Sequence, residues 1–375
     1  MTIELFIFGF IIILYGVFTT LAVIGINRLN LQSIYKKESS HFFSIVVSAR
    51  DEEENVLSFL NEINKQTFSK HQYELIIIDD ASSDNTFLEF EKHLKNTTIN
   101  YQLIKQPTHQ GKKINIAYAI SMAKGDIIIT TDADVHYRDS QWLETISHYF
   151  ASENCNMLIM PIDFENKMST ISRFQIVENI ALTAITAGYS GINQPFLCNG
   201  ANLAFKKEAY SAVNGYEKHL QLSSGEDVFL LEDFKSISSN KIVYGFNKHL
   251  IIKTTSQTSI KNFISQRLRW AYKAKYSSNY LNLSVGIIVM LANLVYLALI
   301  VAIVKQSVFV YYLSIFALTK LFFDFLLLFL ASTFLGRVKY MVLLFPFEFV
   351  YWIYALFIGI TSMFVKPTWK GVKIK

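Results

Sequence analysis

Asp132 and Asp134 close the stretch "DIIITTDADV" (126–135), where an apolar, β-branched run meets two acids one residue apart. Alternate side chains of an extended segment point the same way, so the two carboxylates converge. Anions that close repel each other unless a cation or a proton compensates them. A divalent metal held by carboxylate oxygens would do so, and such metals commonly bridge to diphosphate. A solvated turn after a strand would show the same letters, so the pair acquires meaning only from company elsewhere in the chain.

That company exists. "IIIDDASSDNT" (76–86) puts Asp79 and Asp80 between a strand and a turn, where a carboxylate can accept hydrogen bonds from a base imide or from ribose hydroxyls. Asp84 is expected to open the following helix as its N-cap. In "HQGKKINIAYAI" (109–120), Gly111 precedes a helix whose first turn holds Lys112 and Lys113. Cations there oppose the helix dipole, which makes sense if an anion such as a diphosphate sits beside them. "GEDVFL" (225–230) sets Glu226 and Asp227 at a helix start; acids there are favoured as caps, and beside a bound cation one of them could be a general base. In "QRLRW" (266–270), Gln266, Arg269 and Trp270 fall on about one third of a helix circumference and could face one ligand; an interfacial belt with headgroup-binding arginines is the alternative.

The elements that must position these residues follow from periodicity. Strands are expected at 42–49, 73–79, 101–106, 126–131 and 155–162, with helices at about 52–65, 84–96, 111–124 and 140–151. Such β-α-β-α alternation argues for an α/β domain with a mostly parallel central sheet, whose ligands bind at the carboxyl ends of the strands. Residues 163–255 are less periodic, and "TSIKNFISQRLRWAYKAKY" (258–276) mixes apolar and basic positions as an interfacial helix does.

Of the 375 residues 51% are hydrophobic, and the excess is concentrated in four runs, 4–25, 283–304, 308–331 and about 340–365. Each approaches the roughly 20 residues a helix needs to span hydrocarbon. The first has no small-x-small cleavage site and reads as a retained anchor. The expected division is an anchor at 1–27, a catalytic domain at 40–255, an interfacial amphipathic helix at 256–280, a transmembrane region at 281–365 and a basic tail at 366–375. Arg28, Lys36 and Lys37 after the first run put the middle domain in the cytoplasm, with a bacterial inner membrane as the expected site. The tail's Lys366, Lys370, Lys373 and Lys375 fit that rule poorly if all four runs cross, so 340–365 could instead be re-entrant. Lys320 and Asp324, at i and i+4 inside the third run, are placed to pair. The net charge of +5 collects beside apolar runs, which suits anionic headgroups and argues against a nucleic-acid partner. Cys155 and Cys198 match no metal spacing and suit a reducing compartment.

Taken in order, "VVSARDEEENV" (46–56), "IDDASSDNT", "GKKINIAYAI", "TTDADV", "NGANLAF" (199–205), "GEDVFL" and "QRLRW" resemble the family 2 glycosyltransferases, inverting enzymes of the GT-A fold, over about residues 42–276. The resemblance implies roles. Ser48, Ala49, Arg50 and Glu52 match the loop bordering the nucleotide, Asp79 and Asp80 the acids on base and ribose, and Lys112 a basic position near the nucleotide. Asp132 and Asp134 match the D-x-D pair that carries Mg2+ or Mn2+ on the donor diphosphate, and Gly200 and Asn202 the loop around the donor sugar. Asp227 matches the catalytic base with Glu226 beside it, and Gln266, Arg269 and Trp270 the Q-x-x-R-W motif near acceptor and diphosphate. Asn115 departs from the alanine common at its position. The implied activity is transfer of a sugar from a nucleotide-diphospho-sugar to a hydroxyl acceptor, a membrane lipid or lipid-linked saccharide at the bilayer. A processive polysaccharide synthase and a nucleotide-binding membrane regulator are the alternatives.

Overall fold

The computed structural model describes residues 3–31, 40–151, 155–219, 225–238, 241–273, 276, 279–365, 368–369 and 372–373. Lys36, Lys37, Lys366, Lys370 and Lys375, on which the charge-asymmetry argument leaned, lie outside them. The chain divides into two units. One comprises 29–165 and 193–255; the other comprises 1–28, 166–192 and 256–373.

The first unit is built on a sheet of seven strands: β1 (Phe43–Ala49), β2 (Tyr73–Asp79), β3 (Asn100–Lys105), β4 (Ile127–Thr131), β6 (Met157–Ile159), β8 (Asn202–Lys206) and β9 (Ile242–Tyr244), in the spatial order β3-β2-β1-β4-β8-β6-β9. All run parallel except β8, which is antiparallel to both of its neighbours. β1, β2 and β4 are buried almost without interruption, which is why they read as continuous apolar runs rather than alternating ones. Helices α2 (Glu53–Asn64), α3 (Thr86–Leu94), α4 (Lys112–Met122) and α5 (Trp142–Phe150) connect the strands as their periodicity indicates. The order reverses at β1, with β2 on one side and β4 on the other, so a crevice opens at their carboxyl ends. Register then aligns the functional loops: Ala49 is level with Asp79, Val47 with Thr131, and Thr131 with Asn202.

The structure differs from the sequence reading at 155–162. The single strand expected there is two, β6 and β7 (Ile162–Phe164), which join different sheets. Pro161 separates them; it has no N–H for a ladder, while its carbonyl accepts from Asn202 Nδ2 at 2.8 Å. β7 belongs to a smaller sheet with β5 (Val135–Tyr137) and β10 (Ile252–Thr254), in the order β5-β10-β7. Helices α7 (Lys207–Ala212) and α8 (Glu226–Ser238) complete this unit.

The second unit holds α1 (Ile3–Asn30), α6 (Thr170–Gly191), α9 (Ile260–Lys273), α10 (Tyr280–Val304), α11 (Phe309–Leu335) and α12 (Leu344–Phe364). Four stretches, 5–30, 280–304, 309–335 and 338–364, are long and apolar enough to cross a membrane. Their outward faces stay apolar, with Phe6, Ile13, Phe322 and Phe364 exposed, as helices surrounded by lipid are. Hydropathy assigned 166–192 to the soluble part; instead α6, a 22-residue helix, groups with the apolar helices. Glycines allow this. A Cβ on Gly25 would lie 1.6 Å from the Gly188 carbonyl oxygen, and one on Gly191 2.1 Å from that of Gly25, so α1 and α6 meet backbone to backbone.

Candidate active site

Lys112 is the hub of the crevice. Its Nζ lies 2.5 Å from Asp132 Oδ1 and 3.6 Å from Glu226 Oε1. Burial would lower the lysine's pKa, but the carboxylates of Asp132, Glu226 and Asp227 outweigh it and raise the pKa well above the ordinary range. Gly111 makes the position possible. It holds φ +93°, a left-handed conformation, directly before α4. Asp80 pins it there: Oδ1 accepts from Gln110 N–H at 2.7 Å, Oδ2 accepts from Gly111 N–H at 3.1 Å, and His109 Nδ1 lies 2.6 Å from Oδ2.

Asp132 and Asp134 follow β4, and the charge of Asp132 acts on the Asp134 carboxyl. Thr254 Oγ1 donates to Asp134 Oδ2 at 3.2 Å. Desolvation, then the charges of Asp132 and Glu52, push the Asp134 carboxyl up to about 6. A buried carboxyl raised by two neighbouring negative charges is the environment a hard cation relieves. Among the described residues no ready cluster of three His, Cys, Asp or Glu ligands exists. Asp132 and Asp134 would therefore hold a metal as a pair, leaving its other positions to diphosphate and water.

Across the crevice Gly225, at φ +91°, opens α8. Asp227 Oδ2 accepts from Gly200 N–H at 3.2 Å and Oδ1 from Val228 N–H at 2.8 Å, so two backbone donors fix the side chain at the start of α8. A Cβ at Gly200 would stand 3.5 Å from Glu226 Oε1 and 3.7 Å from Lys112 Nζ, which places that loop against both acids and the lysine.

The β1 and β2 loops are stitched together. Ser83 N–H donates to Asp51 Oδ1 at 2.8 Å, Glu52 N–H to Thr86 Oγ1 at 2.7 Å, and Asn55 Nδ2 to Glu52 Oε2 at 2.7 Å. Asp84 stands one residue before the N-cap of α3, and its Oδ1 accepts from Thr86 N–H while Oδ2 accepts from Glu53 N–H. It ties two helix starts together rather than capping one. Asp79 is fully buried; Oδ2 accepts from Ser82 N–H at 3.3 Å, and among the described residues Oδ1 has no partner. A buried carboxylate oxygen left open suits a donor such as a base imide or a ribose hydroxyl. Ser48 receives Asn115 Nδ2 at 3.3 Å, which ties the helix α4 departure to the β1 end. Ala49 ends β1, and Arg50 Nε lies 3.6 Å from Asp51 Oδ2.

Three expectations need correction. Asp80 is occupied by the 109–111 loop and positions it, rather than offering an oxygen to a nucleotide. Asn202 is a buried strut. Its Oδ1 accepts from Trp142 Nε1 at 3.1 Å, and its Nδ2 donates to the carbonyls of Pro161 and Leu250, both at 2.8 Å. Both polar atoms of that amide are engaged within the domain. Lys113 does not pair with Lys112 on an anion, because its Nζ donates to His219 O at 2.7 Å.

Gln266, Arg269 and Trp270 lie on α9, in the apolar-helix unit. The residue of that motif passed over in the sequence is Arg267. It is buried, donates from Nε to Glu178 Oε2 at 2.7 Å, and stacks 4.1 Å from the Trp270 ring; Gln266 Oε1 accepts from it as well. Tyr354 O–H donates to Glu178 Oε1 at 2.6 Å. A buried acid at 178 in a helix that packs with the apolar helices was the available signal, and it is readable only once α6 is known to group with them.

Comparison with known proteins decides the family. The model of glycosyl transferase family 2 matches residues 44–212, the segment that carries β1 to β8 and most of the crevice. This segment belongs to glycosyl transferase family 2. The chain is 23% identical over 189 residues to glycosyltransferase AglE of Haloferax volcanii, covering 50% of this chain and 59% of that one. It is 30% identical over 117 residues to a dolichyl-phosphate beta-glucosyltransferase of Dictyostelium discoideum, covering 28% and 36%. The first curated relatives are thus matched over less than two thirds of their length. Among solved structures, the mannosyltransferase PcManGT of Pyrobaculum calidifontis, in complex with GDP-Man and Mn2+, superposes with a TM-score of 0.58 at 14% identity over 92% of this chain and 99% of that one. The family 2 domain therefore has the GT-A fold, with its mostly parallel central sheet.

Proposed function

We propose that the protein is a membrane-embedded, inverting glycosyltransferase that moves one sugar from a nucleotide-diphosphate donor to a hydroxyl of a lipid or lipid-linked acceptor. The observation that carries this reading is the convergence of Asp132, Glu226 and Asp227 on Lys112 at the strand ends of a family 2 domain. The membrane placement draws on the four long apolar helices. The lipid acceptor draws on that placement and on the likeness to a dolichyl-phosphate glucosyltransferase. The cytoplasmic placement proposed for the domain draws on Arg28 in the last turn of α1.

In this mechanism the Asp79 carboxylate receives a donor group of the nucleoside, and Asp80 keeps the 109–111 loop in place. A divalent metal such as Mn2+ or Mg2+, held by Asp132 and Asp134, would supply positive charge to the diphosphate. Lys112 adds a fixed ammonium beside it. Asp227 takes the proton of the acceptor hydroxyl as its oxygen attacks the anomeric carbon. The bond to the diphosphate oxygen breaks on the opposite face, and the electron pair leaves with the nucleoside diphosphate. Gly200 N–H fixes one oxygen of Asp227 so that it is aimed before the acceptor arrives. Gln266, Arg269 and Trp270 are proposed to act near acceptor and diphosphate, with Arg267 holding the Trp270 ring in place.

The test is Asp227→Asn in purified full-length protein, assayed with a panel of labelled nucleotide sugars and membrane lipid extract. Transfer into the lipid fraction should fall at least a thousandfold while nucleoside diphosphate binding persists. Transfer at the wild-type rate by the variant would remove Asp227 as the base.

A further inference from the structure

The apolar-helix unit contains a cavity, mostly apolar with a cluster of polar groups, that the transferase reading does not use. It has a volume of ≈ 90 Å³, well above the roughly 10–15 Å³ that a single water needs. Its polar lining comes from five helices: Tyr15 on α1, Glu178 on α6, Asn293 on α10, Lys320 and Asp324 on α11, and Glu348 on α12. The rest is aliphatic and aromatic, including Val289 and Leu327. Ionisable groups within membrane-spanning helices are costly and mark functional sites by default.

Two observations define what the cavity would accept. The first is charge. Lys320 Nζ donates to Asp324 Oδ2 at 2.8 Å and also to Glu348, Tyr15 O–H donates to Asp324, and Arg267 serves Glu178. Three carboxylates thus share two cations, and both cations are already bonded to them. The second is an open acceptor. Asn293 is 1% exposed; its Nδ2 donates to Val289 O at 2.8 Å, and among the described residues its Oδ1 has no partner. A buried amide oxygen without a donor is destabilising by itself. An anionic phosphate placed here would meet carboxylates and an amide oxygen, with no cation left uncommitted.

We propose that this cavity is a headgroup site for a membrane lipid whose head offers hydrogen-bond donors and carries no net negative charge. A glycerol hydroxyl and an ethanolamine ammonium both have this chemistry; a lipid phosphate monoester does not. The donor group satisfies Asn293 Oδ1, while the acyl chains lie along the apolar lining. The inference rests on the membrane placement proposed above. That placement fails separately, if alkaline carbonate releases the chain into the soluble fraction.

The experiment uses full-length protein in phosphatidylcholine nanodiscs and three photoreactive lipids: a diacylglycerol, a phosphatidylethanolamine and a phosphatidic acid, each carrying a diazirine near the head. Saturable labelling of peptides from α6 or α10–α12 by the diacylglycerol or the phosphatidylethanolamine is expected, and which of them labels names the source. Phosphatidic acid should label at background. Asn293→Leu, which removes the open acceptor at similar volume, should reduce labelling at least fivefold with nucleoside diphosphate binding unchanged. Should that variant fail to run as a single species, Val289→Phe, which fills the cavity from α10, should give the same reduction. Labelling that rises without saturating, phosphatidic acid labelling as well as the others, or both variants labelling like wild type would each overturn the site. The cavity would then hold water, and its charges would serve only helix register.

Discussion

Lys112 Nζ lies 2.5 Å from Asp132 Oδ1, so a lysine at the start of α4 is the resident counter-ion of an acid at the end of β4. The pair explains why a cation is tolerated at a helix N-terminus, where the dipole disfavours it. Removing the ammonium leaves Asp132, Asp134, Glu226 and Asp227 facing one another with one positive charge fewer. Lys112→Met is expected to weaken nucleoside diphosphate binding about tenfold, or ~1.4 kcal/mol. The same change should leave affinity for Mn2+ alone equal or tighter. Calorimetric titration of each ligand checks both signs.

The Asp134 carboxyl sits at about 6 against an ordinary value of 3.8. An acid whose pKa is raised by folding holds its proton more tightly folded than unfolded, so its contribution favours the fold at low pH and declines as pH climbs from about 4 to about 6. A divalent cation competes for that same proton. Metal-free protein is therefore expected to melt at a higher temperature at pH 5 than at pH 7 through this group. Mn2+ affinity should strengthen between those values and level off above. Asp134→Asn should abolish both trends in thermal melts and metal titrations.

Asn202 bonds to Trp142, Pro161 and Leu250 from one buried amide. Asn202→Ala removes three bonds and leaves the Trp142 indole N–H and the Leu250 carbonyl without them, while the Pro161 carbonyl keeps the Ile252 N–H at 3.4 Å, a loss of about 3 kcal/mol at ~1 kcal/mol per bond. Activity should fall with the folded fraction, and kcat per folded molecule should change far less than in Asp227→Asn. Chemical denaturation alongside active-site titration separates the two.

A Cβ on Gly188 would stand 2.5 Å from the Ala22 carbonyl oxygen and 2.6 Å from the Ala22 Cα. Backbone cannot yield as a flexible side chain does, so Gly188→Leu is expected to part α1 from α6 and break the Tyr189 O–H to Phe18 O bond of 3.3 Å. Gly286→Leu is the control, since a Cβ there meets nothing within 4 Å. Size-exclusion profiles in detergent should show the first variant aggregated and the second like wild type.

The β1–β4 half of the domain was legible because its strands are buried on both faces, and their ends carry acids that no apolar core explains. Asp132, Glu226 and Asp227, singled out with Lys112 by type and spacing, stand together around the Lys112 ammonium. What stayed hidden was partnership. Nothing local in the sequence shows that Asp80 is consumed by Gly111, or Asn202 by Trp142, because those contacts join residues 31 and 60 positions apart. The Lys320–Asp324 pair was visible at i, i+4, whereas Glu348 and the Glu178–Arg267 pair needed the packing of separate helices. α6 was missed because its mixed composition, with Glu178 and Asn179 buried, lacks the uniform hydropathy of a span.

The position of α6 in the chain fixes an order of assembly. β8 lies between β4 and β6 in the sheet, yet it follows α6 in the chain. A ribosome that has released β1 to β6 has therefore made a sheet with an interior strand missing. Two edges stay open until the chain has detoured through a helix of the other unit and returned. Trimming the chain ends cannot yield an independent catalytic piece, since the apolar unit is stitched into the domain's own sequence at 166–192. Until β8 has been made, β4 keeps an open edge on that side, an aggregation template.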